Sequence, residues 1–169
     1  MSTLKHFRFD KDISFREGPQ SPLTEQQKRE FTGLNYFPEN PDLRLELFLE
    51  RYAQPVKVNL QTSTGDEREY LLVGEVTFEY GGQQNVLQVL EDDYGFFIPF
   101  TDATAPAETY GGGRYIEPPE IRSDILYVDF NLAYNPYCAY NDVWSCPLPP
   151  TKNRLKVRID AGEMNFSAD

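Results

Sequence analysis

The chain has 169 residues and a formal net charge of -11. This excess of acid excludes nucleic acid and anionic membranes as partners, because proteins bind both mainly through Lys and Arg. Eleven Tyr, 12 Phe and one Trp argue against disorder and favour β-structure. The length suits one domain, 1–169. Residues 1–12 are polar, and no segment is apolar enough to span a membrane, so we expect a soluble cytoplasmic protein.

The N-terminal segment, residues 1–20, is predicted to be an extended arm or an edge strand. Phe7 and Phe9 alternate there with the charged residues Arg8 and Asp10, which is the pattern of a strand.

One short helix is predicted to follow this segment. Ser21 would cap its N-terminus, with Pro22 in its first turn and Glu25 closing a capping arrangement, and Thr24 is a rival cap. The helix is expected to reach about Glu30 or Phe31 and to stop near Gly33. It is the single helix that the sequence predicts.

The rest of the chain carries strand patterns separated by short turns. Leu43, Leu45, Leu47 and Leu49 alternate with other residues, which is typical of a half-buried strand. The strands are predicted at 43–49, 56–60, 70–80, 86–91, 96–100, 125–130 and 155–159. With an edge strand near the N-terminus this makes about eight, which predicts a mostly β, antiparallel β-barrel or β-sandwich.

A glycine-rich stretch, Phe100–Tyr115, breaks the strand pattern. Gly111, Gly112 and Gly113 lie between Tyr110 and Arg114. One interpretation is a backbone nest for an anion, with Arg114 as the counter-charge. The other is an ordinary connecting loop in which Arg114 pairs with an acid.

A second aperiodic stretch runs from Asp129 to Arg154. It contains both cysteines, the single Trp and several Asn residues. Its backbone has few predicted ladder partners, so we expect Asn and Asp side chains to hold it in place.

Cys138 and Cys146 lie in this second stretch and are separated by seven residues in sequence. Three interpretations stay open. They could form a disulfide, they could supply two of the four ligands of a metal, or they could be two buried free thiols. The one histidine, His6, lies far off in sequence, which weakens the metal interpretation.

Several runs resemble a known family. DFNLAYNPYCAYNDVWSCPLPPTKNRLKVRIDAGE, from Asp129 to Glu163, is similar to the signature of domain of unknown function 1684, a bacterial and archaeal family. SPLT at 21–24, FTGLNYF at 31–37, PFTDAT at 99–104 and ETYGGGRY at 108–115 support the resemblance. Lys152 departs from the pattern, where the family is expected to have an acid. The resemblance implies no established activity, substrate or cofactor, and it carries no catalytic residue over.

The first functional hypothesis is a small-molecule binding module. Its pocket would lie near Thr109–Tyr115 and Asp129–Arg154, because aromatic and polar side chains concentrate there. No cofactor is identified. The predicted ligand-binding residues are Tyr110, Gly113, Arg114, Tyr115, Asp129, Asn131, Asn135, Tyr134, Tyr140 and Trp144.

Two alternatives come from other classes. One is a hydrolase or isomerase in which Asp129 acts as base while Arg114 or Tyr134 stabilises developing charge. It requires these three side chains to converge on one cavity. The other alternative is a purely structural role or a homodimer contact, for which Trp and Tyr are frequent anchors.

Overall fold

The computed structural model describes residues 2–166 and is mostly β. Two antiparallel sheets, with strand orders β1-β8-β7 and β2-β3-β4-β5-β6, stay separate from each other. The predicted antiparallel β class is therefore confirmed, and the fold is a sandwich and not a barrel. The strands are β1 (Arg44–Phe48), β2 (Glu50–Gln61), β3 (Glu67–Tyr80), β4 (Gln83–Asp92), β5 (Gly95–Phe100), β6 (Arg114–Ile116), β7 (Glu120–Arg122) and β8 (Ile125–Asp129).

The N-terminal segment is a helix, α1 (Thr3–Glu17), and the prediction of an arm or edge strand was wrong. Phe7 and Phe9, whose alternation indicated a strand, are both exposed. Ser2 caps the helix by accepting a hydrogen bond from the Lys5 amide at 3.2 Å. The inward face has helical spacing and consists of Leu4, Arg8, Lys11, Asp12 and Phe15. Because three of these five residues are charged, hydrophobic periodicity does not reveal the helix.

The predicted short helix is α2 (Glu25–Glu30), and its cap is Thr24, not Ser21. Thr24 Oγ1 accepts from the Gln27 amide at 3.1 Å, and Gln27 Oε1 accepts from the Thr24 amide at 2.8 Å. This reciprocal pair is a capping box, which satisfies two free helix-end donors at once. The helix ends at Glu30, with Phe31 as its C-cap in place of the predicted Gly33.

The two sheets enclose one main hydrophobic cluster. In the smaller sheet Leu47 pairs with Leu126, and in the larger sheet Val76 pairs with Leu87. The side chains of both pairs are buried. Alternating inward side chains of both sheets thus form the core, as the leucine repeat predicted. That the chain forms one domain stays a prediction. Among residues 2–166, no helix is long and apolar enough to cross a membrane.

The prediction of a last strand at 155–159 was wrong. This segment has no strand ladder and bends at residues 156 and 157. The Leu155 amide donates to Thr101 O at 2.8 Å, and Val157 O accepts from the Ala103 amide at 2.9 Å. Its partner is therefore the loop that follows β5. The short strands β6 and β7, of three residues each, were not predicted, because three residues are too few to show a period.

Candidate functional site

The two aperiodic stretches meet at Tyr115 and Tyr134. The amide of Tyr115 donates to Tyr134 O at 2.9 Å, and the amide of Tyr134 donates to Tyr115 O at 3.1 Å. The Tyr115 hydroxyl donates to Pro147 O at 2.6 Å, and Pro147 belongs to the Asp129–Arg154 stretch. These bonds join the end of the glycine-rich stretch to two points of the Asp129–Arg154 stretch.

An aromatic cleft of about 210 Å³ opens beside this junction. Its wall is a chain of ring contacts. Tyr70 and Phe97 stack at 5.5 Å, Phe97 meets Tyr115 edge-on at 4.8 Å, and Tyr115 meets Tyr134 edge-on at 5.7 Å. The cleft is lined by Arg68, Tyr70, Asp92, Tyr94, Phe96, Phe97, Tyr115, Glu117, Tyr134 and Pro147.

The rim of the aromatic cleft is polar and mainly acidic. Glu117 accepts a hydrogen bond from the Tyr134 hydroxyl, and Asp92 is exposed. Arg68 is turned to the backbone, where it donates to Ser145 O. Burial raises the pKa of Tyr134, and the Glu117 carboxylate raises it further. Burial also raises the pKa of Tyr115. Both hydroxyls stay protonated, so they act as hydrogen-bond donors and not as bases.

Arg114 lies away from this cleft and is fully buried. Its guanidinium pairs with Asp102 and donates to Ile159 O at 3.0 Å, Ala161 O at 2.5 Å and Glu163 O at 3.1 Å. The interpretation of Arg114 as an anion's counter-charge was wrong, and the alternative pairing with an acid is confirmed. Gly113 also has a structural role, because at φ 98° an added Cβ would come within 2.7 Å of Pro149.

The glycine-rich loop does border another cleft, of about 330 Å³. Its lining includes Gly111 and Gly112 together with Leu148, Pro149 and Arg154. The cation beside these glycines is therefore Arg154, which the sequence analysis did not select.

Asp129 is a capping residue at the end of β8. Its Oδ1 accepts from the Asn131 amide and from Asn131 Nδ2, both at 2.9 Å. Asn131 in turn exchanges bonds with the backbone of Asn40, at 2.8 and 2.9 Å. Asp129 borders a third cleft, of about 530 Å³, together with Arg44 and the first turn of α1.

The catalytic group of Asp129, Arg114 and Tyr134 is not assembled. Tyr134 lines the aromatic cleft, Asp129 lines the cleft next to α1, and Arg114 is buried against Asp102. The hypothesis required one shared cavity, and no cleft described above contains two of the three. Among the described residues, the three side chains that the hydrolase or isomerase hypothesis needs are therefore not brought together.

Asn135 and Tyr140 belong to a buried cluster around Glu163. Oε2 of Glu163 accepts from the Asn135 amide at 3.0 Å and from the Tyr140 hydroxyl at 2.7 Å. Lys11 of α1 donates to Oε1. Sequence reasoning missed Glu163 and Lys11 as partners. The available signals were the place of Glu163 at the end of the family-like run and the helical spacing of Lys11 in α1.

The remaining predicted residues lie around the cysteines. Tyr110 donates its hydroxyl to Cys138 Sγ at 3.5 Å. Trp144 is partly exposed and meets Tyr137 edge-on at 5.2 Å. Both cysteines are free thiols, so the disulfide is not formed in this structure. Within the described part of the chain, no three His, Cys, Asp or Glu side chains are grouped to hold a metal ion.

These features define an antiparallel β-sandwich with an N-terminal helix and with clefts where its two aperiodic stretches meet. Residues 29–164 match the family described as "Protein of unknown function (DUF1684)", and the chain belongs to that family. The resemblance noted in the signature is thereby confirmed.

The chain is also similar to a solved structure, the solution NMR structure of an uncharacterised protein from Haloarcula marismortui. The two are 38% identical, the match covers 95% of this chain and 91% of that one, and the TM-score is 0.72. No curated protein matches the chain.

Proposed function

We propose that this protein is a binding module and that its aromatic cleft holds a small organic cation. The observation that carries the proposal is the combination of six aromatic side chains with two rim carboxylates, Asp92 and Glu117, in one cleft. Aromatic faces attract cations through the ring quadrupole, and neighbouring carboxylates add to that attraction. The net charge of the chain, -11, also favours a cation over an anion as the ligand.

The wall of the cleft is held in place before any ligand arrives. Tyr115 is fixed by the bond from its hydroxyl to Pro147 O, and Tyr134 by its two backbone bonds to Tyr115. Lys11 lies 5.2 Å from the centre of the Tyr134 ring, which supports that ring from α1. Preorganised side chains lose little conformational freedom on binding, so such a wall favours affinity.

The tyrosine hydroxyls support binding and not proton transfer. A general base should have a pKa near the working pH, whereas burial raises the pKa values of Tyr115 and Tyr134 above their ordinary range. Glu117 is exposed at the rim. We therefore expect recognition without turnover.

The test compares two probes of the same shape, choline and its neutral carbon analogue 3,3-dimethyl-1-butanol. Each is titrated into the ¹⁵N-labelled protein while amide shifts are followed. We expect choline to shift the amides of Tyr115 and Tyr134, and the neutral analogue to have a weaker effect by about threefold or more. Equal effects of both probes, or shifts confined to other regions, would contradict the proposal.

Variants test the same point within the cleft. Glu117→Gln removes a rim charge and Tyr94→Ala removes a ring that is 95% exposed, so neither should disturb the core. Both should weaken the choline response by about threefold or more. Glu79→Gln, an exposed change on β3 outside the cleft, is the matched control and should leave the response unchanged.

A purely structural or homodimer-forming role is the alternative to this proposal. It predicts no choline response, and in its dimeric form it predicts twice the mass of the chain by sedimentation.

A further inference from the structure

Cys138 and Cys146 lie side by side although they are not bonded. The amide of Cys138 donates a hydrogen bond to Cys146 Sγ at 3.3 Å. This contact brings the Cys146 sulfur next to the backbone of Cys138, where the Cys138 side chain begins. The Cys146 thiol therefore already lies close to Cys138, as a disulfide between the two requires.

The sulfur of Cys138 is surrounded by hydrogen-bond donors. The Tyr110 hydroxyl donates to it at 3.5 Å. The interaction with the Cys146 thiol contributes most, and together with the bond from Tyr110 it outweighs burial and lowers the pKa of Cys138 to about 6. The interaction with Cys138, with burial, raises the pKa of Cys146. The pair therefore favours the thiolate form at Cys138 over the thiolate form at Cys146.

The two thiols also differ in access. Cys138 is partly exposed, and Cys146 is buried. A small oxidant in solution meets Cys138 first, and the thiolate is the form that reacts. The arrangement therefore assigns different roles to the two residues: Cys138 reacts with the oxidant, and Cys146 lies beside it as a second thiol.

We propose that Cys138 and Cys146 form a reversible thiol–disulfide site, in which a peroxide oxidises Cys138 and Cys146 resolves the product. The proposal is separate from ligand binding in the aromatic cleft, since neither cysteine lines that cleft.

The chemistry balances with hydrogen peroxide as the oxidant. The Cys138 thiolate attacks one peroxide oxygen, an S–O bond forms, the O–O bond breaks, and the leaving hydroxide takes up a proton to become water. Cys146 sulfur then attacks the sulfur of the Cys138 sulfenic acid. An S–S bond forms, the S–O bond breaks, and the leaving hydroxide takes the Cys146 proton to become a second water. A thiol reductant reverses the bridge by exchange.

The experiment uses the full chain with hydrogen peroxide at equimolar amounts, followed by intact-mass and peptide analysis. We expect the loss of two hydrogen atoms, a peptide that joins Cys138 to Cys146 within one chain, and full reversal by dithiothreitol. In Cys146→Ser, a sulfenic acid at Cys138 should be trapped by dimedone. In Cys138→Ser, Cys146 should give no such adduct.

A second measurement does not depend on how well these variants fold. Alkylation of the reduced natural protein by iodoacetamide, followed site by site against pH, should rise at Cys138 around pH 6, while Cys146 stays slow. Tyr110→Phe should move the Cys138 profile to higher pH, because it removes a donor. Faster alkylation of Cys146 than of Cys138, or oxidation that yields only bridges between chains, would overturn the proposal.

Discussion

Arg114 and Asp102 form an ion pair inside the protein, with 3.4 Å between Arg114 Nη2 and Asp102 Oδ1 and only 1% of each side chain exposed. Asp102 Oδ2 also accepts from the Ile159 amide at 2.6 Å, and Arg114 donates to the carbonyls of Ile159, Ala161 and Glu163. The pair therefore ties the connection between β5 and β6 to the C-terminal segment. This is why the most prominent cation of the glycine-rich stretch is not available to a ligand.

Replacing Arg114 by Met is expected to lower the free energy of unfolding by about 3–5 kcal/mol, because Asp102 is left charged, buried and without its partner. Urea denaturation measures the change. Arg122→Met is the control, since Arg122 pairs with Glu46 at the surface and should change stability by less than about 1 kcal/mol. Similar small losses in both variants would show that the buried pair does not hold this region.

Asn153 links β4 and β5 with its side chain. Oδ1 accepts from the Gln88 amide at 2.7 Å, and Nδ2 donates to Gln88 O at 3.0 Å and to Pro99 O at 2.9 Å. Asn153→Leu keeps the size of the side chain but leaves three buried backbone groups unpaired. We expect a loss of about 3 kcal/mol or more in thermal or urea unfolding.

Asn59→Leu is the matched control for that change, because Asn59 is exposed on β2. It should alter stability by less than about 0.5 kcal/mol. A Leu at position 153 that is as well tolerated as one at position 59 would contradict the bridging role.

Lys11 attaches α1 to the sandwich through buried Glu163. Lys11→Met should cost about 3 kcal/mol, because it leaves the Glu163 carboxylate without a counter-charge. Amide hydrogen exchange should accelerate in α1 more than in β3 and β4, because the lost ion pair is one that attaches the helix to the sandwich. Lys5→Met, at an exposed position of the same helix, should leave both measurements near those of the natural protein.

Asp66 makes the turn between β2 and β3 sensitive to acid. Its carboxylate accepts from the hydroxyls of Thr62, Thr64 and Ser145, and these bonds lower its pKa below the ordinary value of 3.8. A carboxyl group whose folded pKa is lowered stabilises the fold above its unfolded pKa, and the effect is lost as the pH falls through the folded pKa.

The melting temperatures of the natural protein and of Asp66→Asn should therefore differ by a steady amount between about pH 7 and pH 5, and the difference should begin to shrink as the pH falls below about 4. Asp93→Asn, an exposed change in the turn between β4 and β5, provides the comparison. A gap that stays constant down to low pH would mean that the charge of Asp66 does not contribute.

The strands with regular alternation were predictable, because side-chain alternation is a local property of a strand. β1, β3 and β4 follow directly from their apolar repeats. The helix α2 was predictable for the same reason, but its capping box is formed by Thr24 and Gln27, whereas the sequence analysis placed Ser21 first. The sequence also marked the two stretches that meet at Tyr115 and Tyr134, because they hold glycines, prolines and aromatic residues without periodicity. That a ligand binds there stays a prediction.

The sequence by itself thus determined the β class, most strands and the family. Only the tertiary structure decided that residues 3–17 form a helix and that Arg114 pairs with Asp102. It also decided that Tyr115 and Tyr134 line the cleft together with Tyr70 and Phe97. The physical reason is the range of the interactions. Alternation and caps act between neighbours in the chain, whereas a buried charge takes its role from partners far away in sequence, which no local pattern records.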